Sequence, residues 1–122
     1  MTTTASQDEI TQILSSLKGM GVKSVALTTL EGRSLGSTIA EAGARFKLGA
    51  LSAASIAIAT KTSGELSLGD LDQVHIQGNT GSLLLGAVGH KALLSVVTER
   101  GADFQPIIRE MKRVAAQLGA IV

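Results

Sequence analysis

The chain has 122 residues, of which 44% are hydrophobic, and a formal net charge of +1. This length and composition suit a single domain with a substantial core. The near-neutral charge and the absence of Trp and Tyr argue against a nucleic-acid surface, which needs cations or stacking rings, and against an aromatic-lined ligand pocket. Because the sequence has no cysteine, it forms no disulfide and no thiolate metal site.

The N-terminal run MTTTASQDE is polar and acidic, so it lacks the charged start and apolar stretch of a signal peptide. No run holds the ~18 apolar residues that a membrane-spanning helix needs. We therefore expect a cytoplasmic protein. Residues 1–5 are predicted to be a flexible tail, and residues 6–122 to form one domain.

The first predicted element is an amphipathic helix that starts with a capping box formed by Ser6 and Glu9. Apolar residues then recur at helical spacing, with polar residues on the opposite side. Gly19 and Gly21 are expected to end the helix. The apolar residues are Ile10, Ile13, Leu14 and Leu17.

Two strands are predicted next. Residues 22–29 are rich in β-branched side chains, and a tight turn containing Gly32 leads to a weaker strand over residues 34–39. The second strand is short and polar, as is typical of a sheet edge, where the unpaired backbone groups need protection or a partner. Residues 40–45 are expected to link this strand to the following helix.

Residues 46–61 are predicted to form the central helix of the fold. Its apolar side chains cover most of its circumference, so we do not expect the helix to expose one whole face to water. Gly49, Ala53 and Ala57 recur every fourth residue and would let a second helix approach closely. The simplest cover is a second copy of the chain, and the alternative is that the chain's own elements surround the helix.

Residues 62–71 have the composition of a loop, and three strands follow over residues 72–77, 82–88 and 92–98. Their short connections suit an antiparallel meander. A last amphipathic helix is predicted over residues 104–118, with Pro106 in its first turn. The fold class is α+β, with a five-stranded antiparallel sheet and the order α-β-β-α-β-β-β-α.

No motif for catalysis, cofactor binding or metal binding emerges from the sequence. The glycines supply neither a phosphate loop nor a dinucleotide fingerprint. His75 and His90 lack neighbouring ligands or a nucleophile to activate, and Asp70 and Asp72 are interpreted as turn and cap residues. We therefore predict a non-enzymatic protein without cofactors.

The remaining signal is an association surface, because an all-round apolar helix and an edge strand are adjacent in sequence. A two-fold homodimer that pairs helix with helix and edge strand with edge strand would cover the helix and complete the edge strand. The sheet would then continue across the dimer. Arg33 and Lys61 are candidate contacts to another partner. The predicted dimer-interface residues are Ser34, Leu35, Gly36, Ser37, Thr38, Ile39, Phe46, Gly49, Ala50, Ala53, Ile56, Ala57 and Thr60.

The order of elements over residues 8–118 resembles the roadblock domain, named for a dynein light chain. The resemblance is carried by the opening EITQILSSL, the strand–turn–strand SVALTTLEGRSLG, the small-residue helix, the strand around VHIQ, and SLLLGAVGHKALLSVVT. It implies a longin-like architecture, homo- or heterodimers with a continuous sheet and a central helix pair, and no catalytic residues.

The resemblance also implies a class of partner. Roadblock proteins bind dynein intermediate chains in eukaryotes, whereas prokaryotic relatives are linked to Ras-like small GTPases. A homodimeric regulator or adaptor of such a GTPase is therefore the favoured function, and a GTPase-activating partner is one form of it. A dimeric assembly scaffold without effect on GTP hydrolysis is the alternative, and a small-ligand sensor is a third hypothesis that the scarcity of aromatic residues disfavours. A heterodimer with a second roadblock chain stays open.

Overall fold

The computed structural model describes residues 7–122, so the predicted tail and Ser6 of the predicted capping box lie outside the described residues. Within this range the chain forms three helices and five strands. These are α1 (Gln7–Ser15), β1 (Val22–Thr29), β2 (Ser34–Ser37), α2 (Ala42–Glu65), β3 (Gln73–Gln77), β4 (Gly81–Val88), β5 (Ala92–Glu99) and α3 (Phe104–Gly119).

The five strands form one sheet in the order β2-β1-β5-β4-β3, and all neighbouring strands are antiparallel. The predicted fold class and element order are therefore confirmed. Both β2 and β3 are edge strands, because each pairs with only one neighbour. None of the helices within residues 7–122 is long and apolar enough to span a membrane.

One face of the sheet is closed by α1 and α3, which pack large aliphatic side chains against β1, β4 and β5. Alternate residues of each strand point to this face, as the period of a strand requires. The result is a continuous apolar core that supplies most of the hydrophobic stabilisation of the chain. Its largest fully buried members include Leu14, Leu17, Leu27, Val25, Leu84, Leu94, Val96, Ile107 and Leu118.

The other face is crossed by α2, which contacts β1, β2, β3 and β5. Small residues make this contact. The Ser95 hydroxyl on β5 donates a buried hydrogen bond of 3.0 Å to the Ser52 hydroxyl on α2, and Gly49 lies directly against the Gly32 backbone in the β1–β2 turn. The helix therefore lies close to the sheet and covers it with little side-chain volume.

The helix is longer than predicted, because residues assigned to the preceding linker and the following loop belong to it. At its start, the Glu41 carboxylate accepts hydrogen bonds from the Gly43 and Ala44 amides, which satisfies two donors that a helix N-terminus leaves unpaired. At its end, the buried Ser63 hydroxyl donates to the Gly69 carbonyl at 2.7 Å. These contacts extend the helix to residues 42 and 65.

Candidate functional site

The central helix is covered on one side only within a single chain. Of its 24 residues, only Gly49, Ser52 and Ser63 are buried. The alternative prediction, that the chain's own elements surround the helix, is therefore wrong. Large apolar side chains remain in solvent: Phe46 is 78% exposed, Leu51 58% and Ile58 69%.

These exposed side chains lie on two flanks of α2. By helical spacing, Phe46, Ala50, Ala53, Ala57 and Thr60 share one stripe, here called the Phe46 flank. The cavity beside it is lined by residues of the β1–β2 and β4–β5 turns. The Phe46 flank therefore faces the end of the sheet at which these two turns lie.

The opposite stripe, here called the Leu51 flank, consists of Leu48, Leu51, Ser55 and Ile58. Leu48 and Leu51 line a groove together with Val97 of β5. This groove is largely apolar and opens to solvent. The Leu51 flank therefore borders sheet surface that α2 leaves uncovered.

The uncovered sheet surface is itself apolar. Ser95 faces α2, so Val97, two residues further along β5, faces the same side. Register places Leu83 beside Val97 and Ile76 beside Leu83, in one row that ends at the β3 edge. Ile76 is 47% exposed, and Leu83 and Val97 are half-buried. The Leu51 flank and this row form a continuous apolar surface that reaches β3.

The two sheet edges differ in their availability for pairing. The β2 edge strand is four residues long, has a register irregularity against β1, and is packed by α1, with Gly36 buried against Ile10. The β3 strand pairs with β4 over five consecutive residues without a bulge. Bulges and covering helices protect an edge, whereas a regular edge is open to another strand. The β3 edge is the more regular of the two.

The predicted interface residues are distributed unevenly over the structure. Gly49 is buried against Gly32 of its own chain, which leaves it little surface for contact with a second helix. Within β2 and the residues after it, Gly36 is buried and Ser34 is exposed. The predicted interface residues that are exposed on α2 are Phe46, Ala50, Ala57 and Thr60. The half-buried ones are Ala53 and Ile56 on α2, and Leu35, Ser37, Thr38 and Ile39 in β2 and the residues after it.

Sequence reasoning missed part of this surface. It left Leu51, Ile58 and Ile76 out of the interface, although the seven-residue spacing of Leu51 and Ile58 already places them on one helix side. Of the candidate partner contacts, Arg33 is exposed in the β1–β2 turn and Lys61 is exposed on α2. Neither side chain forms an ion pair within residues 7–122.

The histidines do not form a reactive group. His75 is exposed on β3, where its Nε2 lies 3.0 Å from the Gln73 side-chain oxygen and its ring meets Phe104 edge-on. His90 is exposed in the β4–β5 turn. Within residues 7–122, no three His, Asp or Glu side chains converge as metal ligands.

Solved structures share this fold. A Roadblock/LC7 domain from Streptomyces avermitilis has a TM-score of 0.84 at 18% sequence identity, covering 88% of this chain and 92% of that one. Myxococcus xanthus MglB has a TM-score of 0.82 at 18% identity, covering 92% and 93%. A structure of MglB with a tetrameric arrangement has a TM-score of 0.83 at 19% identity, covering 93% and 88%.

No protein-family model matches the sequence, and no curated protein matches it either. The structural similarity extends over nearly the whole length of both chains in each comparison. The chain therefore has the Roadblock/LC7 fold, as the sequence resemblance predicted.

Proposed function

We propose that this chain is a cytoplasmic, non-enzymatic homodimer that regulates or tethers a Ras-like small GTPase. The observation that carries the proposal is the continuous apolar surface formed by the Leu51 flank, the Ile76–Leu83–Val97 row and the β3 edge. Apolar area of this kind on a small domain is typical of a protein interface. The Roadblock/LC7 fold supports the same interpretation, because the sequence resemblance implies dimers with paired central helices.

In the proposed dimer, the β3 strands of two copies pair antiparallel about a two-fold axis. The sheet then has ten strands, five from each copy. Because the uncovered sheet row lies between β3 and the Leu51 flank, the two Leu51 flanks face each other over it. Because Leu51, Ile58 and Ile76 are already partly buried, each would contribute less than the roughly 1.5–3 kcal/mol of full burial.

A second pairing uses the surfaces predicted from sequence, with β2 edges and Phe46 flanks in contact. Its support is the exposure of Phe46, Ala50 and Ala57. Against it, α1 packs on β2 and Gly49 is occupied by its own chain. We favour pairing through β3 for this reason, and variants on the two flanks distinguish the arrangements.

The GTPase part of the proposal is based on the partner class that the roadblock resemblance implies for prokaryotic members, together with the fold shared with MglB. This chain has no phosphate loop of its own, so a partner would supply the nucleotide site. Regulation would then act by positioning groups of the GTPase, or by an arginine donated to it. Arg33 is the exposed arginine that the sequence singled out for that role.

The test uses Ras-like GTPases encoded in the same genome, each loaded with GDP or with a non-hydrolysable GTP analogue. We expect one of them to bind the purified protein in a nucleotide-dependent manner, and single-turnover GTP hydrolysis to change when the protein is added. Equal binding in both nucleotide states with unchanged hydrolysis would identify an assembly scaffold. Absence of binding to every GTPase would overturn the GTPase proposal without affecting the dimer.

A further inference from the structure

A second apolar concavity lies on the Phe46 flank of α2, on the opposite side of the helix from the proposed dimer surface. Its volume is about 560 Å³, and it lies between α2, the start of β3 and the β4–β5 turn. Leu30, Ile56, Ala57 and Leu71 give it an apolar lining. Because Leu30 and Ala57 are themselves exposed, the cavity is open to a partner.

The rim of this cavity is acidic. Asp70 and Asp72 line it, whereas its lining includes no Lys or Arg. Asp72 has Lys112 at 4.0 Å, but both side chains are largely exposed, so this ion pair holds the carboxylate weakly. Asp70 makes no ion pair within residues 7–122. The nearest lysine in sequence on α2, Lys61, is exposed and lies outside the lining.

The combination of an apolar lining and an acidic rim restricts the class of ligand. Two carboxylates repel phosphate groups, which disfavours nucleotides, nucleic acids and anionic lipid surfaces. Among the lining residues, the side-chain donors are Thr60, whose hydroxyl already donates to the Ile56 carbonyl, and His90. So few donors in an open cavity disfavour a small polar ligand. An aliphatic side chain that fills the lining, next to a cation that meets the carboxylates, satisfies both features.

We propose that this cavity is the docking site for a segment of a partner protein that presents an aliphatic side chain beside a lysine or arginine. The partner's aliphatic group occupies the space between Leu30, Ile56 and Ala57, and its cation lies against Asp70 and Asp72. The inference goes beyond the proposed dimer, because the Leu51 flank and β3 are not part of this cavity. It holds whether or not the partner is a GTPase.

The test is a titration of ¹⁵N-labelled protein, followed by amide chemical shifts, with two synthetic peptides. One has the sequence Gly-Lys-Leu-Leu-Lys-Gly, and the other has glutamate in place of both lysines. We expect the lysine peptide to shift amides around Ile56, Leu71 and His90, with binding at least about fivefold tighter than that of the glutamate peptide. Equal shifts with both peptides, shifts confined to other surfaces, or no shifts would overturn the proposal.

Charge variants supply the matched control. D70N/D72N should weaken binding of the lysine peptide about fivefold. D8N/E99Q removes the same charge from α1 and the end of β5, at residues that do not line the cavity, and should leave binding unchanged. Equal weakening in both variants would show a general charge effect and overturn the site.

A second copy of the chain is the competing occupant, since the neighbouring residues Phe46 and Lys47 are both exposed and offer an apolar group beside a cation. The mass in solution of F46S/K47E separates the two cases. A loss of self-association in this variant, with none in L51E, would assign the cavity to a second copy and overturn the partner proposal. If F46S/K47E has the same mass in solution as the wild type, the second copy is excluded as the occupant and the partner proposal is supported.

Discussion

Gly49 of α2 and Gly32 of the β1–β2 turn are in backbone contact, so closely that a Cβ on Gly49 would collide with the Gly32 carbonyl oxygen. We therefore expect Gly49→Ala to destabilise the fold by about 1–3 kcal/mol, although alanine is the better helix former. Urea unfolding of the variant measures this cost.

The matched control for this substitution is Gly64→Ala in the same helix. A Cβ at Gly64 would meet no atom within 4 Å. Helix propensity should then dominate, and this variant should gain up to about 1 kcal/mol. If both alanine variants were stabilising, the close approach of the turn to α2 would be refuted.

A buried hydroxyl on β5 gives an opportunity for stabilisation. Thr98 is fully buried, and its hydroxyl has no hydrogen-bond partner within residues 7–122. Thr98→Val keeps the shape and removes the cost of an unsatisfied polar group, so we expect a gain of about 1 kcal/mol in the free energy of unfolding. The thermal midpoint should rise accordingly.

The comparison for this prediction is Thr38→Val. The Thr38 hydroxyl accepts a hydrogen bond from the Val25 amide at 3.0 Å, so the same chemical change should destabilise the fold there by about 1 kcal/mol. Equal effects at both positions would mean that hydrogen bonding of the hydroxyl does not determine the stability change.

The proposed dimer predicts opposite responses on the two flanks of α2. Leu51→Glu puts a charge in the apolar surface next to Val97, and we expect the dimer dissociation constant to rise at least about 100-fold. Ala50→Glu lies on the Phe46 flank and should leave the dimer intact. Light scattering after size exclusion, over a dilution series, measures both.

A reversed result, in which Ala50→Glu or Ala57→Glu gives a monomer and Leu51→Glu a dimer, would assign the interface to the Phe46 flank and β2. A wild-type protein that is monomeric at all concentrations would reject both pairings.

The cap of α2 should make stability depend on acid pH. Hydrogen bonds from the Gly43 and Ala44 amides lower the pKa of Glu41 from 4.5, because they favour the ionised carboxylate. A lowered pKa in the folded state contributes stability above the unfolded value, and the contribution is lost as pH falls through the folded value. The stability difference between wild type and Glu41→Gln should therefore be present at neutral pH and shrink below about pH 4.5. A difference that is constant with pH would contradict this cap.

The element order could be predicted because each segment has a clear local period. The strand run at residues 22–29 and the amphipathic α3 need no tertiary information to be recognised. The ends of α2 could not be predicted in this way, since they depend on the Glu41 carboxylate turning back to two amides and on Ser63 reaching Gly69.

The candidate surface was predictable in kind but not in position. Apolar residues all around α2 indicate that the helix needs more than one cover. Which flank the sheet leaves open depends on how α2 is placed on the sheet, and this follows from long-range contacts such as Ser52 with Ser95. A single sequence does not contain that relationship, so the predicted interface omitted the exposed Leu51 and Ile76 and included the buried Gly49.

The two faces of the sheet are closed by different means, and this affects how stability should be measured. The face under α1 and α3 is filled by the chain's own side chains, so its contribution is the same in a dilute and a concentrated sample. The apolar surface beside α2 would be completed only by association, which makes its contribution subject to mass action. For the proposed dimer, a melting temperature is thus defined only together with the protein concentration at which it was recorded.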